Sequence, residues 1–283
     1  MTLIELVVAM VLVSIVVAAT VYFVFPVRQA ADVSVRAQLS DAADNALQRM
    51  GRDVRLSLPN SVRTACAGQC VEYIPVRTAG RYRGEASGAG CDTGADAGGS
   101  DELAFDVADG CFKSIGSLPN ANTIVANSDF LVLNNYGTGF AGQDAYETAT
   151  PPFNRTLISQ ADEQGGRERI NFVPPSNVPA VFSRSLHDSA GRRFYIVTTP
   201  VTFECDTVGG TLKRWSGYAY GAAYTTGTGL LLANNVTSCN FDYTTLGTQI
   251  GLLTLRLTLS KTVSSGQAET VSLYHSVHVS NVP

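Results

Sequence analysis

The sequence has little charge, and its first part has almost none. Charged residues make up 16% of the 283 residues, and after Glu5 the next charged side chain is that of Arg28. The net charge is −4 and no dense basic patch is present, so nucleic acid is not expected as a partner. Histidine is also scarce, because the chain contains only three. A metal centre built from histidines alone is therefore not expected.

Familiar catalytic motifs are missing as well. The sequence contains no G-x-S-x-G elbow, no phosphate-binding loop and no H-E-x-x-H. We therefore expect neither an enzyme nor a bound cofactor or metal. His275 is in phase with the apolar face of the last predicted strand, which favours a hydrogen-bonded core or edge histidine over a ligand. His278 points the other way, towards solvent.

An uncharged apolar run from Leu6 to Phe25 is the most prominent feature that the sequence does have. Twenty residues at helical rise span about 30 Å, the thickness of the hydrocarbon core of a bilayer. The run therefore predicts a transmembrane helix with the lipid bilayer as a partner. A signal peptide or signal anchor is the alternative, but such segments begin with positive charges and carry no lone carboxylate.

Glu5 is the one acidic side chain at the start of this run. A carboxylate costs roughly 2.5 to 3.5 kcal/mol at the middle of a membrane and less near its surface, so Glu5 needs a partner. The nearest cation in sequence is the α-amino group of Met1, on the same helix or on a neighbouring copy. Because residues 1 and 5 are one helical turn apart, two staggered parallel helices can pair the amine of one with Glu5 of the other. We therefore expect Met1 and Glu5 to act in assembly.

The opening residues Met1-Thr2-Leu3-Ile4-Glu5 resemble the mature start of a type IV prepilin. In that family a short basic leader ending in glycine is removed just before residue 1, and the new amine is N-methylated. Most members have phenylalanine at position 1, where this chain has Met1. The resemblance implies processing by a prepilin peptidase and methyltransferase, and numbering that begins at the mature end. A genuine initiator methionine is the competing possibility.

Two further stretches resemble the MshO-type minor pilins of the mannose-sensitive haemagglutinin (MSHA) pilus system: RMGRDVRLSLPNSVR at residues 49–63 and VHVSNVP at residues 277–283. The resemblance implies the α+β type IV pilin fold, in which a long N-terminal helix, its first half transmembrane, packs on an antiparallel β-sheet domain with long disulfide-braced loops. It also implies a minor subunit that primes or caps a pilus for adhesion or motility. Its partners would be other pilin subunits and an inner-membrane assembly platform.

The same resemblance implies a location. The chain would be a single-pass protein of the inner membrane with its domain in the periplasm, and after assembly it would lie in the pilus at the cell surface. Three alternative functions stay open. A type II secretion pseudopilin would share the helix and drive export, a membrane-anchored binding domain would tolerate replacement of Glu5, and a major pilin would build the shaft of a thick pilus.

We divide the chain into a transmembrane and assembly helix (residues 1–25), the amphipathic half of the same helix (26–58) and a β-rich periplasmic or extracellular domain (59–283). Pro26 predicts a kink between the two halves. Beyond it, apolar side chains recur at spacings of three and four. These positions are Val35, Leu39, Ala43, Leu47, Met50, Val54 and Leu58. Pro59 follows directly and ends the helix.

After the helix, the pattern predicts a long loop from Thr78 to Ser100 and then short strands. The strand-like runs are residues 103–107, 130–133, 169–173, 193–205, 212–220 and 230–243. The clearest signal is a final hairpin, because apolar residues alternate strictly on both sides of a turn at residues 264–266. They are Leu253, Leu255, Leu257 and Leu259, then Val271, Leu273, Val277 and Val279.

Six cysteines on an exported domain predict disulfides. Six cysteines allow fifteen pairings, and closure between sequence neighbours favours three of them. These are Cys66 with Cys70, Cys91 with Cys111, and Cys205 with Cys239.

Two features leave alternatives open. Residues 91–102 hold four carboxylates among glycines, the composition of a calcium-binding loop, but the spacing does not match an EF-hand. A mobile acidic loop is therefore favoured there, and no metal is assigned. Trp215, Tyr218, Tyr220 and Tyr224 form an aromatic cluster suited to stacking on a sugar or on another subunit. Ordinary packing within a strand pair is the simpler interpretation.

Overall fold

The computed structural model describes residues 2–85, 91, 101–149, 153–163, 168–173, 182–221, 224, 227–246, 249–263 and 266–283. Within them the chain is α+β, with a long helix α1 (Leu3–Arg55) followed by antiparallel strands and a four-residue helix α2 (Arg184–His187). The strands are β1 (Arg63–Ala65), β2 (Cys70–Tyr73), β3 (Val76–Arg81), β4 (Cys111–Lys113), β5 (Phe130–Leu133), β6 (Arg155–Glu163), β7 (Glu168–Phe172), β8 (Arg193–Val197), β9 (Val201–Asp206), β10 (Thr211–Ser216), β11 (Thr228–Asn234), β12 (Val236–Thr245), β13 (Ile250–Thr262) and β14 (Ala268–Ser280).

α1 is one continuous helix of 53 residues that contains both helical segments predicted from the sequence. Its second half is amphipathic as predicted, because the apolar positions spaced by three and four are buried in the domain. The buried positions are Leu39, Ala43, Leu47, Met50 and Val54. The helix continues through Pro26, but the side chains of residues 23–32 lie outside the described part of the chain. The kink at Pro26 therefore stays a prediction.

The end of α1 at Arg55 falls three residues before the predicted end at Leu58. The backbone of the following residues is used in strand pairing instead. Ser57 forms a bridge with Pro75, and the Leu58 N–H donates to the Ile74 carbonyl at 2.8 Å. Because those groups are bonded to the domain, they cannot continue the helix, and Leu58 is buried by this pairing.

Two sheets and α1 enclose the first core. β12, β13 and β14 form a three-stranded sheet, and the β13–β14 hairpin has the predicted alternation, with Leu257 opposite Leu273. α1 packs on the inner face of this hairpin. A five-stranded sheet in the order β1-β2-β9-β10-β11 completes the core, to which it contributes Val71, Phe203 and Leu212. The serines of the predicted turn at residues 264–266 lie outside the described part of the chain.

The other six strands form a closed barrel, which the sequence analysis did not predict. Their order is β3-β8-β5-β6-β7-β4, and a bridge between Tyr82 and Ser114 joins the two edge strands. The Ile115 N–H also donates to the Arg81 carbonyl at 2.8 Å, so two contacts join the edge strands at this junction. Aromatic side chains fill the interior, and the Phe112 and Phe194 rings meet edge to face with centroids 5.0 Å apart. The described part of the domain therefore has one core around α1 and one inside the barrel, and a third, smaller cluster packs Leu58 and Ile74 with Val132 of β5.

One predicted segment is wrong, and another is wrong in part. The predicted strand at residues 103–107 is a loop, because the Leu103 N–H donates to the Arg83 carbonyl and the Ala104 N–H to the Asp109 carboxylate. The predicted loop from Thr78 to Ser100 begins too early, since its first four residues belong to β3. Residues 86–90 and 92–100 of that segment are outside the described part of the chain.

Two other predicted runs are each split into two strands. The run 193–205 is β8 and β9, interrupted at Pro200, which has no N–H for a ladder. The run 230–243 is β11 and β12, interrupted at Asn235 in the left-handed conformation (φ +60°). The run 212–220 is shorter than predicted, because β10 ends at Ser216.

The three disulfides join the same cysteine pairs that the sequence analysis favours: Cys66–Cys70, Cys91–Cys111 and Cys205–Cys239. The last of these connects β9 to β12 and so staples the two sheets of the first core to each other. A disulfide of this separation stabilises a fold by about 3 to 4 kcal/mol in the loop-entropy description.

Candidate functional site: the exposed apolar helix

The first part of α1 stands free of the globular domain. Leu3–Tyr22 is a stretch of 20 residues, long and apolar enough to cross a membrane, and none of it is buried by the rest of the chain. Its large apolar side chains are between 45 and 85% exposed. An uninterrupted apolar surface of this size needs a non-aqueous environment, which is either lipid or a bundle of other helices.

Two hydroxyl groups on this segment, those of Ser14 and Thr20, are bonded within the helix. Ser14 Oγ donates to the Met10 carbonyl at 2.6 Å, and Thr20 Oγ1 donates to the Val16 carbonyl at 2.7 Å. An unbonded hydroxyl would be costly in an apolar environment, so these bonds make both side chains compatible with lipid or with helix packing.

Glu5 lies on the first turn of α1, and its side chain is exposed. Its Oε2 atom accepts a hydrogen bond from the Thr2 N–H at 3.1 Å, so the carboxylate caps the start of its own helix. This capping contact was not predicted from the sequence. One carboxylate oxygen is therefore used within the chain, and the charge remains available to a second partner. Met1 lies outside the described part of the chain.

Beyond α1, the chain enters the domain through a cluster of asparagines. Asn60, in the left-handed conformation (φ +59°), donates through Nδ2 to the carbonyls of Asn135 (2.8 Å) and Asn281 (3.1 Å). Asn135 Nδ2 donates to the Pro59 carbonyl at 2.7 Å. Gly137 packs so closely here that a Cβ atom on it would lie 2.5 Å from the Asn60 carbonyl oxygen. The orientation of α1 relative to the domain is thus fixed by polar contacts as well as by packing.

The predicted aromatic cluster is engaged inside the domain. Tyr218 is buried, and its hydroxyl donates to Glu72 at 2.8 Å and lies 2.5 Å from Thr202 Oγ1. Glu72 is itself buried and forms an ion pair with Arg63. Burial, followed by the nearby Glu72 charge, raises the pKa of Tyr218, so its hydroxyl keeps the proton that it donates.

Two other members of the cluster, Tyr220 and Trp215, have partners of the same kind. Arg155 stacks on the Tyr220 ring at 3.6 Å, and the Tyr220 hydroxyl donates to the Thr198 carbonyl at 2.6 Å. Trp215 Nε1 donates to Glu204 at 2.6 Å. These contacts join β10 and the following segment to the rest of the domain, which favours the packing interpretation over a sugar or subunit contact. The acidic and basic partners were not predicted because they are distant in sequence.

The histidines occupy separate positions. His275 is half-buried against Gly51 of α1, on the predicted apolar face of β14, and His278 is exposed, as predicted. His187, for which no role was predicted, is fully buried: its Nδ1 accepts from the Ser183 N–H at 2.9 Å, and its Nε2 lies 2.7 Å from the Gly142 carbonyl. Burial lowers the pKa of His187. The neutral tautomer with the proton on Nε2 satisfies both contacts.

One of the two described carboxylates of the acidic segment, Asp101, has a structural partner. Asp101 is buried, with an oxygen 3.4 Å from the Arg83 side chain. Cys91 is buried in its disulfide, whereas residues 92–100 of the possible calcium loop lie outside the described part. Among the residues that the structure describes, no group of three or more His, Cys, Asp or Glu side chains is placed to hold a metal ion.

The exposed half of α1 with Glu5 is therefore the best-supported candidate site, and its geometry fits contact with lipid and with other helices. Comparison of the chain with models of protein families, with curated proteins and with solved structures finds no match.

Proposed function

We propose that this chain is a minor subunit of a type IV pilus of the MSHA type, which assembles through its N-terminal helix. The observation that carries the proposal is the exposed 20-residue apolar stretch that begins with one carboxylate and continues, as a single helix, into a disulfide-braced domain. The resemblance of residues 1–5, 49–63 and 277–283 to this family supports the same conclusion.

In this proposal the apolar half of α1 exchanges one environment for another. Before assembly it anchors the subunit in the inner membrane, with the domain in the periplasm, where the cysteines are oxidised. During assembly the helix leaves lipid for a bundle of related helices. Glu5 is the one polar side chain between residues 3 and 13, and the hydroxyls of Ser14 and Thr20 are already bonded within the helix. Between residues 3 and 21, Glu5 is therefore the side chain that a neighbour must satisfy.

Glu5 sets the register of the neighbour. Its carboxylate attracts the terminal amine of an adjoining subunit, and a charge pair in an apolar bundle is far stronger than the same pair in water. In a membrane-anchored domain of any other kind, α1 would serve only as an anchor, and function would not depend on the charge of the Glu5 carboxylate. The bulk of the domain favours a place at or near the tip, since large domains are hard to repeat along a tight helix.

The test is mass spectrometry of the intact protein and of its N-terminal peptide, from sheared surface filaments and from membranes. We expect a mature end at Met1 that carries one methyl group, in the filament fraction. A longer or unmethylated N-terminus found only in membranes would contradict the proposal and favour a membrane-anchored domain.

A further inference from the structure

The Cys66–Cys70 disulfide closes a small ring at the turn between β1 and β2. The two cysteines have a sequence separation of 4, and Ala65 and Cys70 form the pair of the ladder next to the turn. β1 is the edge strand of its sheet, so a partner can approach the ring from the side. Cys66 is exposed and Cys70 is buried. One end of this disulfide is therefore open to solvent.

The other two disulfides are better protected. Cys91, Cys111 and Cys205 are buried, and Cys239 is half-buried. Their rings are also longer, with sequence separations of 20 and 34. In the loop-entropy description, loss of the shortest ring lowers the equilibrium constant for folding about tenfold less than loss of a longer one. The chain can therefore lose the Cys66–Cys70 bond and stay folded more easily than it can lose the others.

The backbone of the small ring is held in an unfavourable conformation. Cys66, Ala67 and Gly68 follow one another with φ values of +53°, +53° and +84°. Glycine adopts such angles freely, but in the other two residues the β-carbon crowds the backbone. Rupture of the S–S bond removes one of the restraints that hold this turn. Strained and exposed disulfides are the ones that exchange most readily with other thiols.

The ring lies where the two sheets of the first core meet. The Gln69 carbonyl accepts a hydrogen bond from the Cys205 N–H of β9 at 2.9 Å. A Cβ atom on Gly68 would lie 2.8 Å from Asn240 Oδ1 of β12, so the turn packs closely on the three-stranded sheet as well. A change in the small ring would therefore act on contacts beside the Cys205–Cys239 disulfide.

We propose that Cys66–Cys70 is a site of thiol–disulfide exchange with a partner protein that carries two neighbouring thiols. A thiolate of the partner attacks the sulfur of exposed Cys66, the bond to Cys70 breaks, and the Cys70 thiolate takes up a proton. The second thiolate of the partner then attacks the mixed disulfide and releases Cys66, which is protonated in turn. Two electrons pass to the chain, the partner becomes a disulfide, and the turn is released.

The order in which the disulfides open tests the site. The full-length chain in detergent is equilibrated with graded mixtures of reduced and oxidised dithiothreitol, so the result does not depend on assembly into a filament. Alkylation and peptide mass spectrometry locate the free thiols, and circular dichroism reports the fold. We expect Cys66 and Cys70 to open in the folded chain at a reduced-to-oxidised ratio at least about tenfold lower than either other pair. Another pair that opens at the same ratio or earlier would overturn the proposal, as would opening that coincides with unfolding.

A trapped intermediate tests the direction of attack. A thioredoxin-type protein whose second active-site cysteine is replaced by serine stops the reaction at the mixed disulfide. We expect it to be attached to Cys66, and peptide mass spectrometry identifies the joined peptides. The variant C66A/C70A is the control, and it should fold normally and give no more than background attachment. Attachment to Cys70 or to another cysteine, or attachment no stronger than in the control, contradicts the assigned site.

Relief of the left-handed turn tests the source of the reactivity. Ala67→Gly should raise the reduced-to-oxidised ratio needed to open Cys66–Cys70 by about threefold to tenfold, because glycine tolerates φ +53° without the ring. Asn120→Gly is the matched control, since Asn120 is exposed with φ +55° but lies outside the ring. It should leave the ratio unchanged. An equal ratio in wild type and Ala67→Gly would exclude the turn as the cause.

Discussion

Asn60 and Asn281 join the exit of the long helix to the last strand of the domain. Asn60 donates through Nδ2 to the Asn281 carbonyl at 3.1 Å and through its backbone N–H to Asn281 Oδ1 at 3.4 Å. The Tyr243 hydroxyl donates to the same Oδ1 at 3.0 Å. The stretches 49–63 and 277–283, which are far apart in sequence and carry the family resemblance, therefore meet at one point of the fold.

Replacement of Asn60 should weaken the whole domain. Asn60→Ala removes the bonds to Asn135 and Asn281 and places alanine at φ +59°, so we expect a loss of about 2 to 3 kcal/mol in the free energy of unfolding. Denaturant titration followed by circular dichroism measures it. Asn120→Ala is the matched control, since Asn120 has φ +55° but is exposed with no side-chain cap bond, and it should lose only about 1 kcal/mol. Equal losses would contradict the role of the asparagine contacts.

Removal of the Tyr218 hydroxyl should be costly, although the ring is kept. Tyr218→Phe leaves buried Glu72 without one of its donors, so we expect a loss of about 1 to 3 kcal/mol in the free energy of unfolding. Tyr274→Phe removes a hydroxyl from a ring that is 59% exposed and should change stability by less than about 0.5 kcal/mol. Thermal and denaturant unfolding of both variants decide the point, and a Tyr218 variant as stable as the Tyr274 control would refute it.

His187 should make the domain less stable in acid. Burial lowers its pKa in the folded state, so the unfolded chain binds the proton more readily than the folded chain does. Its contribution is therefore complete above the unfolded pKa of about 6.5 and is lost as the pH falls below that value. Unfolding measured between pH 7.5 and pH 5 should show this loss, and His187→Gln should reduce the slope. His278→Gln, at an exposed position, should leave the slope unchanged. A slope that falls in His278→Gln but not in His187→Gln would exclude His187 as the cause.

Glu5 variants separate helix capping from assembly. Glu5→Leu should insert into membranes as well as the wild type but appear in filaments at least about tenfold less, because a charge partner is lost in an apolar bundle. Glu5→Gln keeps an oxygen that can accept from the Thr2 N–H but carries no charge. It should therefore also be depleted from filaments. Ser14→Ala, which removes a hydroxyl bonded within its own helix, should assemble normally. Quantitative immunoblots of membrane and filament fractions give the comparison, and normal incorporation of Glu5→Leu would rule out the charge pairing.

The sequence predicted the elements whose signals are periodic or local. The buried stripe of α1 follows from a spacing of three and four, the β13–β14 hairpin follows from strict alternation, and the cysteine pairs follow from closure of nearby residues. The position of Glu5 also follows from the sequence, as the one charge of an apolar run, whereas its bond to Thr2 depends on the rotamer of the side chain.

The barrel and the polar clusters could not be predicted in the same way. Barrel closure joins Tyr82 to Ser114 across a long intervening segment, and β4 is only three residues long, so no periodic signal marks it. Arg63 and Glu72 lie on adjacent short strands, but their aromatic partners Tyr146 and Tyr218 come from distant loops. The predicted strand at residues 103–107 had the right apolar residues, yet its backbone is bonded to a loop.

The single helix through the first core also determines how the protein would carry mechanical load. Tension applied along a filament would enter through α1 and pass into the sheets on which it packs, where the Cys205–Cys239 bond links β9 to β12 covalently. The barrel is joined to this path at the helix exit, where Leu58 packs with Val132 of β5 and Asn60 donates to the Asn135 carbonyl. In the proposed filament, a pulling force would therefore meet the disulfide-linked sheets first and would reach the barrel through these contacts at the helix exit.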